Sequence, residues 1–261
     1  MNLLLQVVPR VRHELASLLR SPRAIKPDDR RLITELKDRF THGPREFRHG
    51  RRQYIVDCLY CHAVPGTFET SLMLLQELRS DGGGDSLLNL GGGTGQVAPV
   101  LLSLGFTVIN LDREVDVPDE INMSADLNVP GDLPIARGQF DIVLCQEVIE
   151  HVENPWDLLR KARGALRLGG HLVLTTPNIQ SIHSKRRFTK TGYFDWFTPD
   201  CFAYHVNALP VWEIELIGSR VGFRQIAVFG NGDYYFSRDA RPSISDVLRN
   251  NEALVFLLQA I

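Results

Sequence analysis

The sequence predicts a doubly wound α/β fold, in which helices cover both faces of a mostly parallel sheet. From about residue 86 onward, short apolar segments alternate with amphipathic segments of helical spacing, an order typical of parallel sheets. A glycine-rich loop directly follows the first apolar segment, as expected where a buried strand turns sharply into a helix. The composition, 44% hydrophobic and 23% charged over 261 residues, suits a globular chain with one large domain.

Residues 1–80 are predicted to form an N-terminal helical extension of the same domain. Apolar residues at helical spacing predict helices at 11–20 and 27–40, each followed by a proline-containing pair. A third helix is predicted for 67–79, because a Pro-Gly pair precedes it and Glu69 stands three residues after that glycine. These helices are too few and too amphipathic to form a core of their own.

Residues 81–261 are predicted to form the main domain of alternating strands and helices. The predicted strands, each a short run rich in apolar residues, are Ser86–Leu90, Phe106–Leu111, Phe140–Cys145, His171–Thr176, Phe223–Phe229 and Tyr234–Ser237. The predicted helices are Gln96–Leu104, Pro155–Leu166 (ended by Gly169-Gly170), Pro210–Val221 and a closing helix from about Ser243. Open sheets of this kind bind ligands at the carboxyl ends of their strands.

Charge is distributed unevenly along the chain. The first 52 residues hold 13 Lys and Arg against 6 Asp and Glu, whereas the remainder holds 16 against 25. Because the basic residues alternate with acidic ones, a solvated helical surface is the simplest interpretation, and a partner-binding or membrane-surface role is the alternative. The net charge of −2 gives no general reason to expect nucleic-acid binding.

The glycine-rich loop has the sequence Asn-Leu-Gly-Gly-Gly-Thr-Gly and spans Asn89–Gly95. Glycines permit both a sharp turn and the close approach of a ligand to the backbone. The dinucleotide fingerprint G-x-G-x-x-G does not fit, because its third glycine would fall at Gln96, one residue too far. Asp112 stands 21 residues after Gly91, at the end of the second predicted strand, where a carboxylate can bind both hydroxyls of a ribose.

Five segments in this order and spacing resemble the class I S-adenosylmethionine-dependent methyltransferases, over about residues 87–178. The resemblance implies a Rossmann-like sheet of seven strands, methyltransferase activity and S-adenosylmethionine as cofactor. It also implies that the glycine loop holds the methionine end of the cofactor. The residues expected to bind the cofactor are Asn89, Gly91, Gly93, Gly95, Asp112 (ribose), Asp126 and Leu127 (adenine), and Gln146. Asn89 departs from the family, which usually has Glu or Asp at this position.

The segment Gln146–Pro155 follows a predicted strand and carries a Glu-x-x-Glu-His pattern. This pattern resembles ubiquinone-type O-methyltransferases and, separately, small-RNA 2′-O-methyltransferases. His151 has the intrinsic pKa to remove a proton from the acceptor, and Glu147 and Glu150 can orient it, so these three are the candidate catalytic residues. The candidate ligands of a divalent metal ion, which would lower the pKa of a substrate hydroxyl, are Glu147, Glu150, His151 and His205. The alternative is structural, with Glu150 and His151 only orienting the loop.

Residues 179–204 are predicted to form a substrate lid, because this fold commonly carries recognition insertions there. The stretch Lys185–Phe197 is basic and then aromatic, which suits a phosphate or sugar-phosphate acceptor, or stacked RNA bases. Alternatively, the aromatic side chains pack over the sheet edge. The segment from His205 to Phe223 resembles bacterial small-molecule and glycan methyltransferases, which favours a hydroxylated acceptor such as a sugar, a polyketide or a phenol.

Three functions are consistent with these patterns. The first is O-methylation of a small-molecule or glycan acceptor. The second is 2′-O-methylation of RNA, which the Glu-x-x-Glu-His pattern and the basic lid favour and the acidic body of the chain disfavours. The third is a non-catalytic scaffold that keeps the fold and binds a partner through its basic N-terminal segment, an alternative that Asn89 suggests.

The chain is expected to be cytoplasmic. No stretch approaches the ~20 consecutive apolar residues of a membrane span, and the first residues lack the basic start and long apolar run of a signal peptide. The cysteines show no disulfide spacing, which agrees with a reducing compartment. They are Cys58, Cys61, Cys145 and Cys201.

Overall fold

The computed structural model describes residues 45–49, 52–56, 63–64, 66–95, 97–115, 118–231 and 244–261. The helices predicted at 11–20 and 27–40 and the strand predicted at Tyr234–Ser237 lie outside these residues. Within the described ranges, no helix combines the length and the apolar character that crossing a membrane would require.

A hairpin and a helix precede the central sheet. Strands β1 (Arg45–His49) and β2 (Arg52–Val56) form the antiparallel hairpin, which no sequence pattern predicted. Helix α1 (Thr67–Ser80) agrees with the helix predicted at this position. The backbone N–H of Gly66 donates to Glu69 Oε2 at 2.9 Å, as the capping pattern predicts. The apolar side chains of α1 join the core of the sheet, so this part of the extension packs with the main domain.

Seven strands form the central sheet: β3 (Ser86–Leu90), β4 (Thr107–Asp112), β5 (Asn122–Ser124), β6 (Phe140–Gln146), β7 (Leu166–Pro177), β8 (Phe223–Gly230) and β9 (Ala253–Ala260). The helices after α1 are α2 (Ala98–Ser103), α3 (Pro155–Ala165), α4 (Ile182–Thr191), α5 (Val211–Val221) and α6 (Ile244–Asn250). Across the sheet the strand order is β5-β4-β3-β6-β7-β9-β8. Neighbouring strands are parallel except at β9, which is antiparallel to both β7 and β8. The predicted doubly wound, mostly parallel seven-stranded sheet is confirmed.

Successive residues of the central strands are buried on opposite faces of the sheet. On one face, Leu88 and Val143 pack with apolar residues of α3 and α5. On the other face, Leu87 and Ile142 pack with those of α1 and α2. Because both faces are covered, the strands are apolar along most of their length. The polar residues of interest are therefore concentrated at the carboxyl ends of β3, β4, β6 and β7, where open α/β sheets bind ligands.

The helix predicted from Ser243 does not close the chain. Helix α6 ends at Asn250, and the final segment is strand β9, between β7 and β8. Six consecutive residues of β9, from Ala253 to Leu258, are buried. Hydrophobic periodicity does not separate such a continuous apolar strand from a buried helix, which explains the error.

The Gly169-Gly170 pair does not end a helix either. Helix α3 already ends at Ala165, and both glycines lie inside β7. A Cβ at Gly170 would lie 2.8 Å from the carbonyl oxygen of Asp141. The glycine therefore permits a close approach of β7 to β6, next to the register shift between these strands.

Candidate active site

The glycine loop leads from β3 into α2 through left-handed backbone conformations. Gly91, Gly93 and Gly95 have φ angles of 76°, 57° and 88°. A Cβ at Gly91 would lie 2.5 Å from Val148, and a Cβ at Gly95 would collide with Asn122. At Gly93, by contrast, the nearest heavy atom to such a Cβ is 3.9 Å away. This glycine therefore has open space beside it, into which a ligand can approach the backbone.

Two buried asparagines support the glycine loop. The side-chain amide of Asn89 donates to Asn110 Oδ1 at 2.8 Å, and the amide of Asn110 donates to the carbonyl oxygen of Gly93 at 3.2 Å. Asn89 is 2% exposed and Asn110 is 0% exposed, so both amides depend on protein partners. Asn110 was not predicted as a site residue, although a single polar residue inside the apolar run of β4 was a usable signal.

Asp112 lies at the carboxyl end of β4, beside the glycine loop. Its Oδ2 accepts from the backbone N–H of Gly93 at 2.9 Å, and its Oδ1 accepts from the N–H of Glu114 at 2.8 Å. The residue is only partly buried. The carboxylate is thus held against the open glycine, which is consistent with the role predicted for it toward a ribose.

The residues predicted to contact adenine follow β5 in a turn that a buried lysine anchors. Asp126 is exposed and Leu127 is half-buried. The ammonium group of Lys161, on α3, donates to the carbonyl oxygens of Leu127 and Val129 at 2.7 and 2.6 Å. Its side chain is 3% exposed, and Asp157 Oδ2 lies 2.7 Å from Nζ and balances the charge. Lys161 was not predicted, because in sequence it is an ordinary polar position of an amphipathic helix.

Gln146 and Glu147 lie at the carboxyl end of β6, and both are half-buried. Glu147 has a φ of 51°, which is uncommon for a residue with a side chain. Thr175 holds it on both sides: the backbone N–H of Glu147 donates to Thr175 Oγ1 at 3.0 Å, and this hydroxyl donates to Glu147 Oε1 at 2.7 Å. Burial raises the pKa of Glu147 to about 7, against the lowering effect of the Thr175 hydroxyl.

Glu150 is fully buried in the loop that follows β6. Its Oε2 accepts from the hydroxyl of Thr176 at 3.0 Å. Its Oε1 is buried and has no hydrogen-bond partner among the described residues. Burial, and to a lesser extent the charge of Glu147, raises the pKa of Glu150 well above its usual range. A buried carboxylate oxygen without a partner is costly, so a ligand at this point would stabilise it.

Two histidines lie beside Glu150, and each is oriented by a backbone carbonyl. His151 Nδ1 lies 3.0 Å from the carbonyl oxygen of Tyr204, and His205 Nδ1 lies 2.7 Å from that of Trp196. Because a carbonyl oxygen only accepts, each Nδ1 carries a proton, and Nε2 of the neutral ring carries a lone pair. Burial lowers the pKa of His205, although its hydrogen bond to the carbonyl oxygen of Trp196 acts to raise it. The neutral form of this ring is therefore favoured.

The ligand atoms of Glu150, His151 and His205 all lie within 4.8 Å of one another. Within this trio, His151 Nε2 is 3.8 Å from Glu150 Oε1, and the two imidazole rings meet edge to face with centroids 4.6 Å apart. One carboxylate and two neutral imidazoles form a donor set that divalent metal ions accept. The carbonyl bonds to Nδ1 are of the kind that orient histidine ligands. Glu147, the fourth predicted ligand, lies outside the trio and is bonded to Thr175.

The segment predicted as a lid contains α4 and the turn after it. From Lys185 onward, every residue of α4 is exposed. Asp195, in the turn, accepts from His183 Nδ1 at 2.6 Å and from Arg187 Nε at 2.5 Å, which ties the turn to the helix. A cavity of about 570 Å³ lies between this helix, the turn and the end of β7.

A family model described as "Methyltransferase domain" matches residues 52–228, more than half of the chain. The chain belongs to the S-adenosylmethionine-dependent methyltransferases. The matched range includes the glycine loop, Asp112, the Glu150–His151–His205 trio and residues 179–204. The family and enzyme class that the sequence resemblance implied are thereby confirmed.

Curated relatives of this methyltransferase match it over shorter stretches. A ubiquinone biosynthesis O-methyltransferase from a Caulobacter species is 32% identical over 102 residues, which cover 35% of this chain and 40% of that protein. Another, from Cereibacter sphaeroides, is 30% identical over 135 residues, or 44% of this chain and 55% of that protein. A tRNA U34 carboxymethyltransferase from Desulforapulum autotrophicum is 30% identical over 95 residues, which cover 36% of this chain and 27% of that protein. The chain thus spans about half or less of the length of these relatives.

A solved structure with the same fold is a SAM-dependent methyltransferase, possible histamine N-methyltransferase, from Thermotoga maritima. It superposes on this methyltransferase with a TM-score of 0.50 at 15% sequence identity, covering 75% of this chain and 90% of that chain. At this identity the likeness concerns the fold alone. The chemistry of the site therefore has to be argued from the residues of this chain.

Proposed function

We propose that this methyltransferase transfers the methyl group of S-adenosylmethionine to a hydroxyl oxygen of a small-molecule or sugar-containing acceptor. The glycine loop and Asp112 form a region suited to a nucleoside cofactor, and the trio of Glu150, His151 and His205 is suited to activating a hydroxyl. The relatives named ubiquinone biosynthesis O-methyltransferases support oxygen as the methylated atom.

The observation that carries this proposal is the direct packing between the two regions. Val148 lies between Glu147 and Glu150 in the chain, and its side chain fills the space beside Gly91, where a Cβ would lie 2.5 Å from Val148 Cγ2. The loop that bears Glu150 and His151 therefore packs on the loop proposed to bind the cofactor. Methyl transfer requires that donor and acceptor be held in contact and in line, and the adjacency of the two binding regions supports the first of these conditions.

The residues around the glycine loop fit S-adenosylmethionine. Gly93 has open space beside its backbone, Asp112 is held next to it, and Lys161 fixes the turn that contains Asp126 and Leu127. When bound, S-adenosylmethionine supplies an activated methyl group on a sulfonium sulfur. The protein contributes binding, orientation of the acceptor and a group that takes the acceptor's proton.

The trio fits a divalent metal ion. Glu150 Oε1 has no partner among the described residues, and the tautomers of His151 and His205 place the lone pair on Nε2. A metal ion held there would lower the pKa of a neighbouring acceptor hydroxyl. Glu147, with a pKa of about 7, is then the proton acceptor, because a general base works best when its pKa is near the operating pH. Without a metal ion, His151 takes this role.

The proposal is tested by methyl transfer from S-adenosylmethionine to catechol and to a methyl glycoside, before and after removal of metal ions with EDTA. We expect activity to fall after EDTA and to return with Mg²⁺, Mn²⁺ or Zn²⁺. His205→Ala should raise the metal concentration needed for half-maximal activity by about tenfold or more, because one ligand is lost. Glu147→Gln should lower the rate at saturating metal.

Glu153→Gln is the matched control, because Glu153 is exposed on the same loop. It should change neither the metal concentration needed for half-maximal activity nor the rate at saturating metal. If activity resists EDTA and is retained in His205→Ala, the proposed role of a metal ion is contradicted and His151 remains as the base. Methylation of an amine or thiol, with no hydroxyl acceptor methylated, would contradict O-methylation itself.

RNA is the second candidate acceptor. Helix α4 presents Lys185, Arg186 and Lys190 to solvent, and one relative is named a tRNA U34 carboxymethyltransferase. Binding of a single-stranded oligoribonucleotide that weakens steeply with salt, together with methylation of its 2′-hydroxyl, would favour this alternative. Turnover of catechol or a sugar without any binding of the oligoribonucleotide would contradict it.

A further inference from the structure

The cavity under the lid is lined mainly by polar side chains. Its volume of about 570 Å³ falls in the range of small-molecule sites. Tyr193 and Trp196 are the aromatic residues among the described residues that line it. The polar side chains include Asn178, Ser181, Thr191, Thr198, Asp200 and Glu252. Such a lining offers hydrogen-bond partners beside apolar surface.

Trp196 connects this cavity to the trio of Glu150, His151 and His205. The residue lines the cavity, its side chain is partly open to solvent, and its carbonyl oxygen accepts from His205 Nδ1 at 2.7 Å. Its φ of 65° is a left-handed conformation that bulky residues rarely adopt. The bond to His205 and a hydrogen bond between Phe197 and Phe194, of 3.2 Å, hold this turn. The turn that forms this part of the cavity wall is therefore the one whose backbone orients His205.

Asp195 forms a second fixed feature of the cavity wall. Its carboxylate accepts from His183 and Arg187, and its backbone N–H donates to Ser184 Oγ at 3.0 Å. Arg187 uses Nε, one of its five N–H donors, in this ion pair. Carboxylate and guanidinium groups held side by side can bond neighbouring hydroxyls of one ring, because one accepts and the other donates.

The charges of the cavity disfavour an anionic acceptor. Asp195, Asp200 and Glu252 contribute three carboxylates, whereas Arg187 is the one permanent cation among the described lining residues, with His183 the one titratable base. A phosphate or carboxylate would meet this negative balance. A ring with one face of C–H groups and an edge of hydroxyls matches both the aromatic residues and the polar ones.

We propose that this cavity binds a neutral sugar ring against Trp196, so that the methyl acceptor is a glycoside. This inference rests on the proposed O-methyl transfer and names its substrate class. The sugar hydroxyl nearest the trio is the one methylated: its O–H bond breaks as the proton passes to the base, and the O–CH₃ bond forms as the S–CH₃ bond breaks. The products are a methyl ether and S-adenosylhomocysteine.

The experiment measures binding of methyl α-L-rhamnopyranoside and methyl β-D-glucopyranoside by saturation-transfer NMR, with S-adenosylhomocysteine present. Catechol is the non-sugar probe, and mass spectrometry detects methyl transfer to each compound. We expect at least one glycoside to bind and to be methylated. Trp196→Ala should weaken its binding by about tenfold or more, and Trp196→Phe should restore most of it by keeping an aromatic face.

Trp212→Ala is the matched control, since Trp212 is 61% exposed on α5 and does not line the cavity; it should bind the glycoside as the wild type does. Circular dichroism and S-adenosylhomocysteine affinity establish that each variant is folded. Equal glycoside binding by Trp196→Ala and the wild type, or methylation of catechol but of neither glycoside, would overturn the sugar proposal and leave O-methyl transfer standing. Failure of the wild type to bind S-adenosylhomocysteine would overturn the proposed function beneath it.

Discussion

The side-chain amide of Asn89 donates a hydrogen bond of 2.8 Å to the side-chain oxygen of Asn110, and both residues are almost completely buried. The side-chain amide of Asn110 in turn donates a hydrogen bond of 3.2 Å to the carbonyl oxygen of Gly93. Asn89 stands where the resemblance to class I methyltransferases implies an acid. In this chain, two neutral amides in series hold the glycine loop, so no buried charge is required there.

Replacing Asn110 with Ala should weaken both stability and cofactor binding. The variant leaves the amide of Asn89 buried without its partner, which costs about 1–3 kcal/mol in the free energy of unfolding. It also frees the carbonyl of Gly93, so the affinity for S-adenosylhomocysteine should fall. Denaturant unfolding and calorimetric titration measure the two effects. Asn250→Ala, at an exposed position on α6, is the control, and equal behaviour of the two variants would refute the role of Asn110.

Lys161→Met should loosen the turn predicted to contact adenine. The methionine keeps the apolar stem but removes the ammonium group that holds the carbonyls of Leu127 and Val129. We expect a loss of about 2–3 kcal/mol in the free energy of unfolding, because the ion pair between the buried Lys161 and the partly exposed Asp157 is broken as well. The affinity for S-adenosylmethionine should fall, whereas the affinity for isolated methionine should not.

The control for Lys161 is Arg160→Met, one residue earlier on α3, where the side chain is exposed. Its unfolding free energy and cofactor affinity should stay close to the wild-type values. If Lys161→Met binds S-adenosylmethionine as tightly as Arg160→Met does, Lys161 does not position the turn.

Glu147→Gln should change how stability depends on pH. In the folded protein the pKa of Glu147 is about 7, whereas in the unfolded chain it is close to the ordinary value for Glu, about 4.3. The folded state therefore keeps a proton that the unfolded state has lost, so this residue lowers stability progressively as pH rises from about 4 to about 7. Above that range its effect is constant.

The glutamine variant cannot lose a proton and still accepts a hydrogen bond from Thr175. Measured with EDTA present, its melting temperature should match that of the wild type near pH 4 and exceed it near pH 8. Glu153→Gln, on the exposed part of the loop, should follow the wild-type curve. Parallel curves for Glu147→Gln and the wild type would show that Glu147 titrates normally.

The fold was predictable from sequence because its signals are local. Apolar strands such as Phe140–Cys145 stand out between turn residues, and the glycine loop marks the switch from β3 to α2. Strand β9 was missed because a continuous apolar run is equally typical of a buried helix. The insertion of β9 between β7 and β8 depends on tertiary packing, which no local pattern encodes.

The site was predictable only in part, for the same physical reason. The Glu-x-x-Glu-His pattern and His205 were nominated by residue type, and Glu150, His151 and His205 come together in the structure. Lys161 was not nominated, because its role arises from carbonyl groups over thirty residues away in sequence. The carbonyl of Trp196 that orients His205 belongs to the backbone, so no side-chain pattern identifies it.

The central claim is that the glycine loop and Asp112 bind S-adenosylmethionine, and isothermal titration tests it most directly. The wild type should bind S-adenosylmethionine and S-adenosylhomocysteine with micromolar affinity. Asp112→Ala should weaken both by about tenfold or more, while Asp132→Ala, whose side chain is 73% exposed, should bind as the wild type does. Absence of binding to either ligand, or equal binding by Asp112→Ala and the wild type, would contradict the account.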